Sequence, residues 1–459
     1  MNDNSTGMIR TEENNTFIQE EEDGVIAIHF NRIRREIKPL HGINNSPVTL
    51  GEPLPELREA GIPYVRLHDT GGDYGQNRFV DIPNIFRDFD ADPMDPDAYD
   101  FAFTDAYLKG LAASGMKIFY RLGVTIENGF MVKPLRIHPP ADFLKWAKIC
   151  EGIVNHYNNG WANGFHYNIE YWEIWNEPEQ PAMWTGTMEQ YFEFYQVVSR
   201  YLKKKFPALK IGGYASSGFC AYTKPEAAAI PKFRNMLVWF EEFLRFVRAN
   251  RVPLDFFSWH YYPATIEDLR ANSQYVDEQL QKYGFDSLEV IFDEWNYMDW
   301  SIENRFDAMK EMPGAAFVAA AFCAMQKLNI AKAMYYDALP NREYCGLYYF
   351  PSRMVTKTYY CFRMFDVLYR LGKEAECVTP EKDGIYGLAA TNGSQCAALI
   401  SNLNQRDRSL TLRLDGTVGV KPKCTVLDAN QVFVETKMLW KTDKCLRLPA
   451  RSVILLEWK

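Results

Sequence analysis

The sequence has no long apolar run and no excess of positive charge. None of its apolar segments approaches the roughly 20 consecutive residues that span a bilayer, so no transmembrane helix is predicted. The 51 Lys and Arg residues against 59 Asp and Glu residues give a net charge of −8. This charge would repel nucleic acid phosphates and anionic lipids, so the sequence predicts neither a nucleic acid partner nor a membrane partner.

Cysteine and histidine motifs are also missing. The nine cysteines are scattered and contain no CxxC pair, which argues against a disulfide framework and against a zinc site. The histidines show no paired ligand spacing, and the acidic segment 88–100 lacks the glycine-containing loop pattern of calcium sites. We therefore expect mostly buried free thiols, no bound metal and no cofactor.

The start of the chain is polar and acidic. Residues 1–23 lack the basic and apolar regions of a secretory signal, and we interpret them as a polar leader. The expectation is a cytoplasmic protein, or an exported one whose signal has been removed. The oligomeric state is left open, and a homo-oligomer is compatible with the sequence.

The apolar residues that are present suffice for a large core, because 47% of the 459 residues are hydrophobic and 15% are aromatic. From residue 40 onwards, short apolar segments alternate with longer amphipathic ones. Eight strands are predicted, at residues 40–44, 64–68, 117–121, 171–175, 210–214, 255–260, 289–293 and 333–337. Helices predicted between them, with apolar residues three and four apart, include 142–157, 189–205, 232–249 and 315–328.

This alternation predicts an α/β fold. Eight strand and helix repeats within residues 39–372 favour a (β/α)8 TIM barrel, since each parallel crossover needs a helix. A doubly wound sheet is the alternative, but no GxGxxG turn follows the first strand. Short alternating segments in residues 373–459 predict a small C-terminal β-sandwich, and we expect a strand in residues 24–38 to join it.

Two glutamates end the fourth and seventh predicted barrel strands. Because the C-terminal ends of barrel strands meet at one face, Glu177 and Glu294 should face each other. Acetal hydrolysis needs one carboxyl group to protonate the leaving oxygen and a second to meet the oxocarbenium-like carbon. The tryptophan beside each glutamate would offer a flat apolar wall to a sugar. Either glutamate alone would equally suit a solvated or ion-paired residue, but the pair predicts a glycosidase.

The motifs around these glutamates resemble those of a known family. IWNEP at 174–178 and FDEWN at 292–296 look like the acid/base and nucleophile motifs of clan A glycoside hydrolases. Their order resembles glycoside hydrolase family 39, which includes β-xylosidases and α-L-iduronidases. The resemblance extends over about residues 40–372, and its other motifs are VRLH at 65–68, HYYP at 260–263, Lys357, Tyr359 and Leu371-Gly372.

The resemblance implies a retaining double displacement, with Glu177 as the general acid/base and Glu294 as the nucleophile. It also implies that Asn176 bonds the sugar 2-hydroxyl and that polar residues of the other motifs surround the glycone. Together with aromatic residues at strand ends and in loops, the substrate-binding candidates are Asn176, His68, Arg66, His260, Tyr262, Trp295, Trp184 and Tyr336.

The leading interpretation is an exo-acting, β-xylosidase-like enzyme that hydrolyses plant-type pentose-containing oligosaccharides. An arabinose-type glycone is an alternative, because strand eight carries Tyr335-Tyr336-Asp337 where the xylosidase pattern has a tryptophan and acidic residues. An endo-acting member of the same family is a second alternative. An inactive carbohydrate-binding barrel is the alternative from another class, and the presence of both carboxylates argues against it.

Overall fold

The computed structural model describes residues 24–68, 80–124, 137–416, 421–436 and 445–458. The predicted leader, residues 1–23, lies outside the described residues. Within them the chain forms a closed eight-stranded barrel and a separate nine-stranded sheet.

After β1 (Val25–Glu36), eight parallel strands form the barrel. The barrel strands are β2 (Gly42–Asn44), β3 (Tyr64–Leu67), β4 (Lys117–Leu122), β5 (Tyr171–Ile174), β6 (Lys210–Ser216), β7 (Phe256–Tyr261), β8 (Glu289–Trp295) and β9 (Lys332–Tyr335). Strand β2 closes the ring by parallel pairing with β9. The strands are apolar runs because both of their faces are covered, and the closed ring confirms the predicted barrel.

Helices between the strands cover the barrel, and the longer ones other than α11 each bury one apolar face. They are α1 (Pro55–Glu59), α2 (Ile82–Ile85), α3 (Ala102–Ala113), α4 (Phe143–Asn159), α5 (Met188–Lys205), α6 (Cys220–Thr223), α7 (Pro225–Ala228), α8 (Pro231–Asn250), α9 (Ile266–Lys282), α10 (Arg305–Ala308), α11 (Met312–Met325) and α12 (Lys357–Leu371). A capping box of Thr187 and Gln190 starts α5, which fixes the end of the loop that follows β5.

The C-terminal strands and β1 form the second sheet. They are β10 (Lys373–Val378), β11 (Ile385–Thr391), β12 (Cys396–Asn402), β13 (Arg408–Asp415), β14 (Lys423–Leu427), β15 (Val434–Glu435), β16 (Cys445–Leu448) and β17 (Ser452–Trp458). The strand order is β15-β14-β17-β12-β11-β10-β1-β13-β16, so β1 joins the C-terminal sheet as predicted. Strand β16 also approaches β12, because Asn402 Nδ2 donates a hydrogen bond to the Leu448 carbonyl, and the sheet thus folds over itself as a sandwich.

Helix α11 joins the barrel to the sandwich. Its residues from Gly314 to Met325 are all buried, because the barrel covers one side and the sandwich the other. The Ser401 hydroxyl of β12 donates a hydrogen bond of 2.7 Å to the Ala316 carbonyl of this helix. A helix covered on both sides is apolar all round, which accounts for the buried thiol of Cys323.

The structure contains no disulfide bond among the nine cysteines, which all lie within its described residues. All nine cysteines are free thiols, and six of them are buried. Among the described residues, no helix combines the length and the apolar character needed to cross a bilayer.

Candidate active site

The C-terminal end of the barrel brings the two predicted glutamates together. Glu177 follows β5, and Glu294 lies near the end of β8. One carboxylate oxygen of each and a ring nitrogen of His260 all lie within 4.8 Å of one another. Carboxyl groups about 5 to 5.5 Å apart are typical of retaining glycosidases, whereas inverting enzymes need about 6.5 to 9.5 Å. The spacing therefore suits direct attack by one carboxylate.

The surroundings of Glu294 stabilise its ionised form. The Tyr262 hydroxyl donates a hydrogen bond of 2.6 Å to Oε1, and Arg66 Nη1 donates one of 3.2 Å to Oε2. His68 Nε2 lies 4.0 Å from the same Oε2. Both oxygens thus face donors, one of them a permanent cation, and such bonds are strongest to a charged carboxylate.

The surroundings of Glu177 favour its protonated form. Burial raises the pKa of Glu177 well above its usual value, and the negative charges of Glu294 and Glu179 raise it further. Arg66 and Lys232 act in the opposite direction but do not reverse the shift. Burial and neighbouring negative charge thus favour a proton on Glu177, whereas the donors around Glu294 favour a charged carboxylate there.

His260 connects the two carboxyl groups. Its Nδ1 lies 2.8 Å from Glu177 Oε1 and 3.5 Å from Glu294 Oε2. Burial lowers the pKa of His260 well below its usual value, and the positive charges of Arg66 and His68 lower it further. A neutral imidazole can hold Glu177 in place without adding a positive charge that would favour its ionisation.

Arg66 lies fully buried beneath the pair and is the centre of a charged cluster. Its guanidinium contacts Glu173 at 2.7 Å and Asp293 at 3.1 Å. It also donates hydrogen bonds to Asn176 Oδ1 at 2.7 Å and to Asn44 Oδ1 at 3.0 Å. Burial and the neighbouring Glu173 raise the pKa of Asp293 well above its usual value despite Arg66, so the protonated form of Asp293 is favoured.

Two tyrosines from the segment after β9 stand beside the pair. The ring centre of Tyr336 lies 6.1 Å from that of His68, and the ring centre of Tyr344 lies 5.6 Å from that of Tyr262. Asn296, which follows β8, donates hydrogen bonds to the carbonyls of Tyr336 at 2.6 Å and Tyr344 at 2.9 Å. The asparagine of the FDEWN motif therefore fixes the tyrosines that flank the end of β8.

Two of the predicted substrate-binding residues lie in the core. Trp295 is fully buried, and its ring packs 5.3 Å from Tyr335 and 5.8 Å from Phe322 of α11. Trp184 packs edge-on against Trp175 at 5.2 Å, and its Nε1 donates a hydrogen bond to the Thr187 carbonyl. This packing accounts for both tryptophans without a sugar, and we leave them out of the proposed site.

Sequence reasoning missed several residues that surround the pair. Asn44 ends β2, so inspection of polar residues at strand ends would have found it. Glu173 directly precedes the IWNEP motif and Asp293 stands inside FDEWN, but only the closed barrel shows that both contact Arg66. Tyr344 lies in a loop with no motif, and no local signal marks it.

The pair and His260 offer donor atoms of the types that metal ions bind. Glu177, His260 and Glu294 each offer a ligand atom within the 4.8 Å cluster. Both oxygens of Glu294 already accept hydrogen bonds, and the Arg66 guanidinium would repel a cation beside them. The residues present therefore suit proton transfer better than a resident metal ion.

The fold and the carboxylate pair together define the class of protein as a glycoside hydrolase. Residues 46–346 match the glycosyl hydrolases family 39, and the chain belongs to that family. A β-xylosidase from Caldicellulosiruptor saccharolyticus is 25% identical over 386 residues, which cover 75% of this chain and 70% of that protein. A β-xylosidase from Geobacillus stearothermophilus is 27% identical over 237 residues, which cover 48% of this chain and 40% of that protein. The match to the Geobacillus stearothermophilus protein thus spans less than half of that protein's length.

Solved structures share the architecture at low sequence identity. A glucosidase from Croceicoccus marinus matches with a TM-score of 0.71 and 20% identity, over 95% of this chain and 99% of that chain. A family 39 β-xylosidase from Caulobacter crescentus matches with a TM-score of 0.67, the same identity and the same coverage. These likenesses confirm the predicted barrel with a C-terminal β-sandwich.

Proposed function

We propose that the protein is a retaining exo-glycosidase that acts on pentose-containing oligosaccharides, with xylose as the glycone. The observation that carries this proposal is the approach of Glu177 and Glu294 within 4.8 Å, in surroundings that favour a proton on Glu177 and offer hydrogen-bond donors to both oxygens of Glu294. The two curated relatives named β-xylosidase support xylose over arabinose.

The first half of the reaction uses both glutamates at once. Glu294 attacks the anomeric carbon while Glu177 gives its proton to the leaving oxygen, so the glycosidic bond breaks as an ester bond to Glu294 forms. The Tyr262 and Arg66 donors hold the attacking carboxylate in place. The proton on Glu177 is available because its pKa is raised by burial and by the charge on Glu294.

The second half reverses the proton flow. Esterification removes the charge of Glu294, and one cause of the raised pKa of Glu177 disappears with it. Glu177 can then ionise and take a proton from water, which attacks the anomeric carbon and restores the Glu294 carboxylate. Two inversions at the same carbon retain its configuration.

The low exposure of the two carboxyl groups supports exo action. The side chains of Glu177 and Glu294 are only 15% and 8% exposed. The rings of Tyr336 and Tyr344 stand beside them, 5.7 Å apart. A confined site of this kind fits the end of a sugar chain better than its middle.

A path of aromatic rings leads from this site to the surface. Tyr262 neighbours Tyr344, which lies 5.2 Å from Phe306, and the Arg305 guanidinium lies 5.1 Å from the Phe306 ring. The same guanidinium stacks 4.8 Å from the centre of Trp300, which is 64% exposed. An exposed tryptophan that packs against an arginine offers a ring to the apolar face of a further sugar unit, which supports an oligosaccharide substrate.

Leaving-group dependence in two variants tests the division of roles. We expect Glu294→Ala to abolish turnover of every substrate, because no nucleophile remains. We expect Glu177→Ala to retain turnover of aryl glycosides with activated leaving groups, which need little protonation. Equal and complete loss in both variants on every leaving group would contradict the assignment.

Product analysis tests the stereochemistry, the glycone and the mode of attack. Proton NMR should show that the anomer released first has the configuration of the substrate, and release of the opposite anomer would refute the retaining mechanism.

A panel of chromogenic pyranosides and furanosides should show the highest kcat/KM on a β-xyloside, and a higher value on an arabinofuranoside would favour the alternative glycone. Early products of an oligosaccharide should be monosaccharides, whereas longer fragments would indicate endo action. No turnover of any glycoside by folded protein would indicate a binding barrel.

A further inference from the structure

A third carboxyl group is buried next to the pair. Glu179 follows Glu177 by two positions in the loop after β5, and the residue is 5% exposed. Its Oε1 accepts three hydrogen bonds, from the Ser217 backbone N–H at 2.6 Å, the Ser217 hydroxyl at 2.9 Å and the Ser216 hydroxyl at 3.1 Å. Ser216 is the last residue of β6 and Ser217 follows it, so one oxygen ties the loop that carries Glu177 to the neighbouring strand.

The backbone that this contact holds is strained. Glu177 has a φ of 44° and Ala215 has a φ of 58°, both in the left-handed region that residues with a side chain rarely adopt. The Glu177 N–H donates a hydrogen bond of 2.9 Å to the Ala215 carbonyl, so the two strained residues face each other. Such conformations persist only where the surrounding structure imposes them. The hydrogen bonds that Glu179 accepts from Ser216 and Ser217 join the two segments one or two residues after this strained pair.

We propose that Glu179 is a positioning residue for Glu177, which holds the loop after β5 against the end of β6 so that Glu177 can reach the leaving oxygen. The proposal rests on the proposed function, because it takes Glu177 as the proton donor. Glu179 acts through Glu177 and through the end of β6, and it takes no part in bond making or breaking.

The electrostatics of the site agree with this role. Among the described residues, the charged or titratable groups that face Glu177 are Glu294 from β8, His260 from β7, Arg66 from β3, Lys232 from α8, Glu179 from its own loop, Tyr262 after β7 and Tyr344 from the segment after β9. Burial raises the pKa of Glu179, while the hydrogen bonds that it accepts from its own backbone N–H, from Ser217 and from Ser216 act in the opposite direction. Glu179 Oε2 is buried and has no hydrogen-bond partner among the described residues, so the contact depends on Oε1.

The test compares leaving groups in Glu179 variants. In the first half reaction, which kcat/KM reports, misplacement of Glu177 slows only the departure of leaving groups that need its proton. We therefore expect Glu179→Ala to lower kcat/KM about 10- to 100-fold for alkyl or sugar leaving groups. For dinitrophenyl glycosides, which need little protonation, the change should stay below about 3-fold. Glu179→Gln keeps an acceptor at Oε1 and should restore kcat/KM for the poor leaving groups. If Glu179→Ala does not fold, the Ser216→Ala/Ser217→Ala double variant removes two of the three donors and should show the same pattern.

Glu374 provides a matched control. It is a buried glutamate on β10 in the sandwich, and it accepts a hydrogen bond of 2.8 Å from Gln326. Glu374→Ala should lower stability and leave the ratio of kcat/KM between poor and activated leaving groups unchanged. The same unchanged ratio in Glu179→Ala, or no restoration by Glu179→Gln, would overturn the proposal. Failure of the proposed function would look different, because the wild-type protein would then hydrolyse neither kind of glycoside.

Discussion

Replacement of Arg66 by methionine should destabilise the protein strongly, and more so at high pH. The guanidinium is fully buried and is in contact with Glu173, Asp293 and Glu294, at 2.7, 3.1 and 3.2 Å. Removing one partner of a buried charge pair costs about 3 to 5 kcal/mol, because the remaining charge is left without compensation. We expect a loss of that size in the free energy of unfolding near neutral pH.

The pH dependence of this loss follows from proton linkage. Burial raises the pKa of Asp293 and of Glu177 while Arg66 lowers both, so without Arg66 the two pKa values rise further above their values in the unfolded chain. The penalty is absent below the unfolded pKa of about 4 and grows as the pH rises towards the folded pKa. Each carboxyl group that keeps its proton only in the folded state adds about 1.4 kcal/mol of penalty per pH unit.

Urea unfolding of wild type and Arg66→Met between about pH 5 and pH 8 measures both the size and the slope of the effect. Arg270→Met is the matched control, because Arg270 pairs with Glu381 at the surface with a third of its side chain exposed. Loss of a surface pair costs about 1 kcal/mol or less and should add no pH slope of this size. A loss below about 1 kcal/mol in Arg66→Met, or a slope equal to that of the wild type, would refute the reasoning.

Three further predictions concern the site and the thiols. Tyr262→Phe removes a hydrogen bond to a charged carboxylate, worth about 1.5 to 3 kcal/mol, so kcat/KM should fall about 10- to 100-fold, and an unchanged value would contradict the role of this hydroxyl. Trp300→Ala should raise KM for oligosaccharides about 2- to 10-fold and leave kcat/KM for aryl monoglycosides unchanged, whereas equal effects on both would argue against an outer sugar subsite. Burial raises the pKa of Cys345 and Cys424 to about 12, so both should resist a thiol reagent at about pH 8 until the protein unfolds, and rapid modification of the folded protein would contradict this.

The sequence predicts the barrel well because each barrel strand is a short apolar run between turn residues. The C-terminal sheet is less readable, and β10 (Lys373–Val378) was not predicted. This strand carries charged residues, whose partners come from distant parts of the chain, since Glu376 pairs with Arg32 and Glu374 accepts a hydrogen bond from Gln326. Its strand character comes from pairing with β1 and β11, and no local apolar pattern marks it.

The sequence likewise predicts some residues of the candidate site and misses others. Motifs and strand ends suffice to place Glu177, Glu294 and Arg66 at one face of the barrel. The packing of Trp295 against Phe322 of α11 does not follow from strand alternation, because the adjacent residues Asp293 and Glu294 both contact Arg66 and the pairing of β8 shifts register there. The burial of Trp184 depends on tertiary contacts with Trp175, which no local pattern reveals.

Covalent trapping tests the central assignment most directly. A 2-fluoro pentoside with an activated leaving group should form a long-lived ester with the enzyme. Fluorine slows both half reactions, because it disfavours their oxocarbenium-like transition states, whereas the good leaving group speeds only the first half reaction, in which the ester forms. Intact-mass measurement should show one added sugar per chain, and peptide mapping should place it on Glu294. A label on Glu177, or complete hydrolysis of the reagent without any adduct on Glu294, would contradict the account.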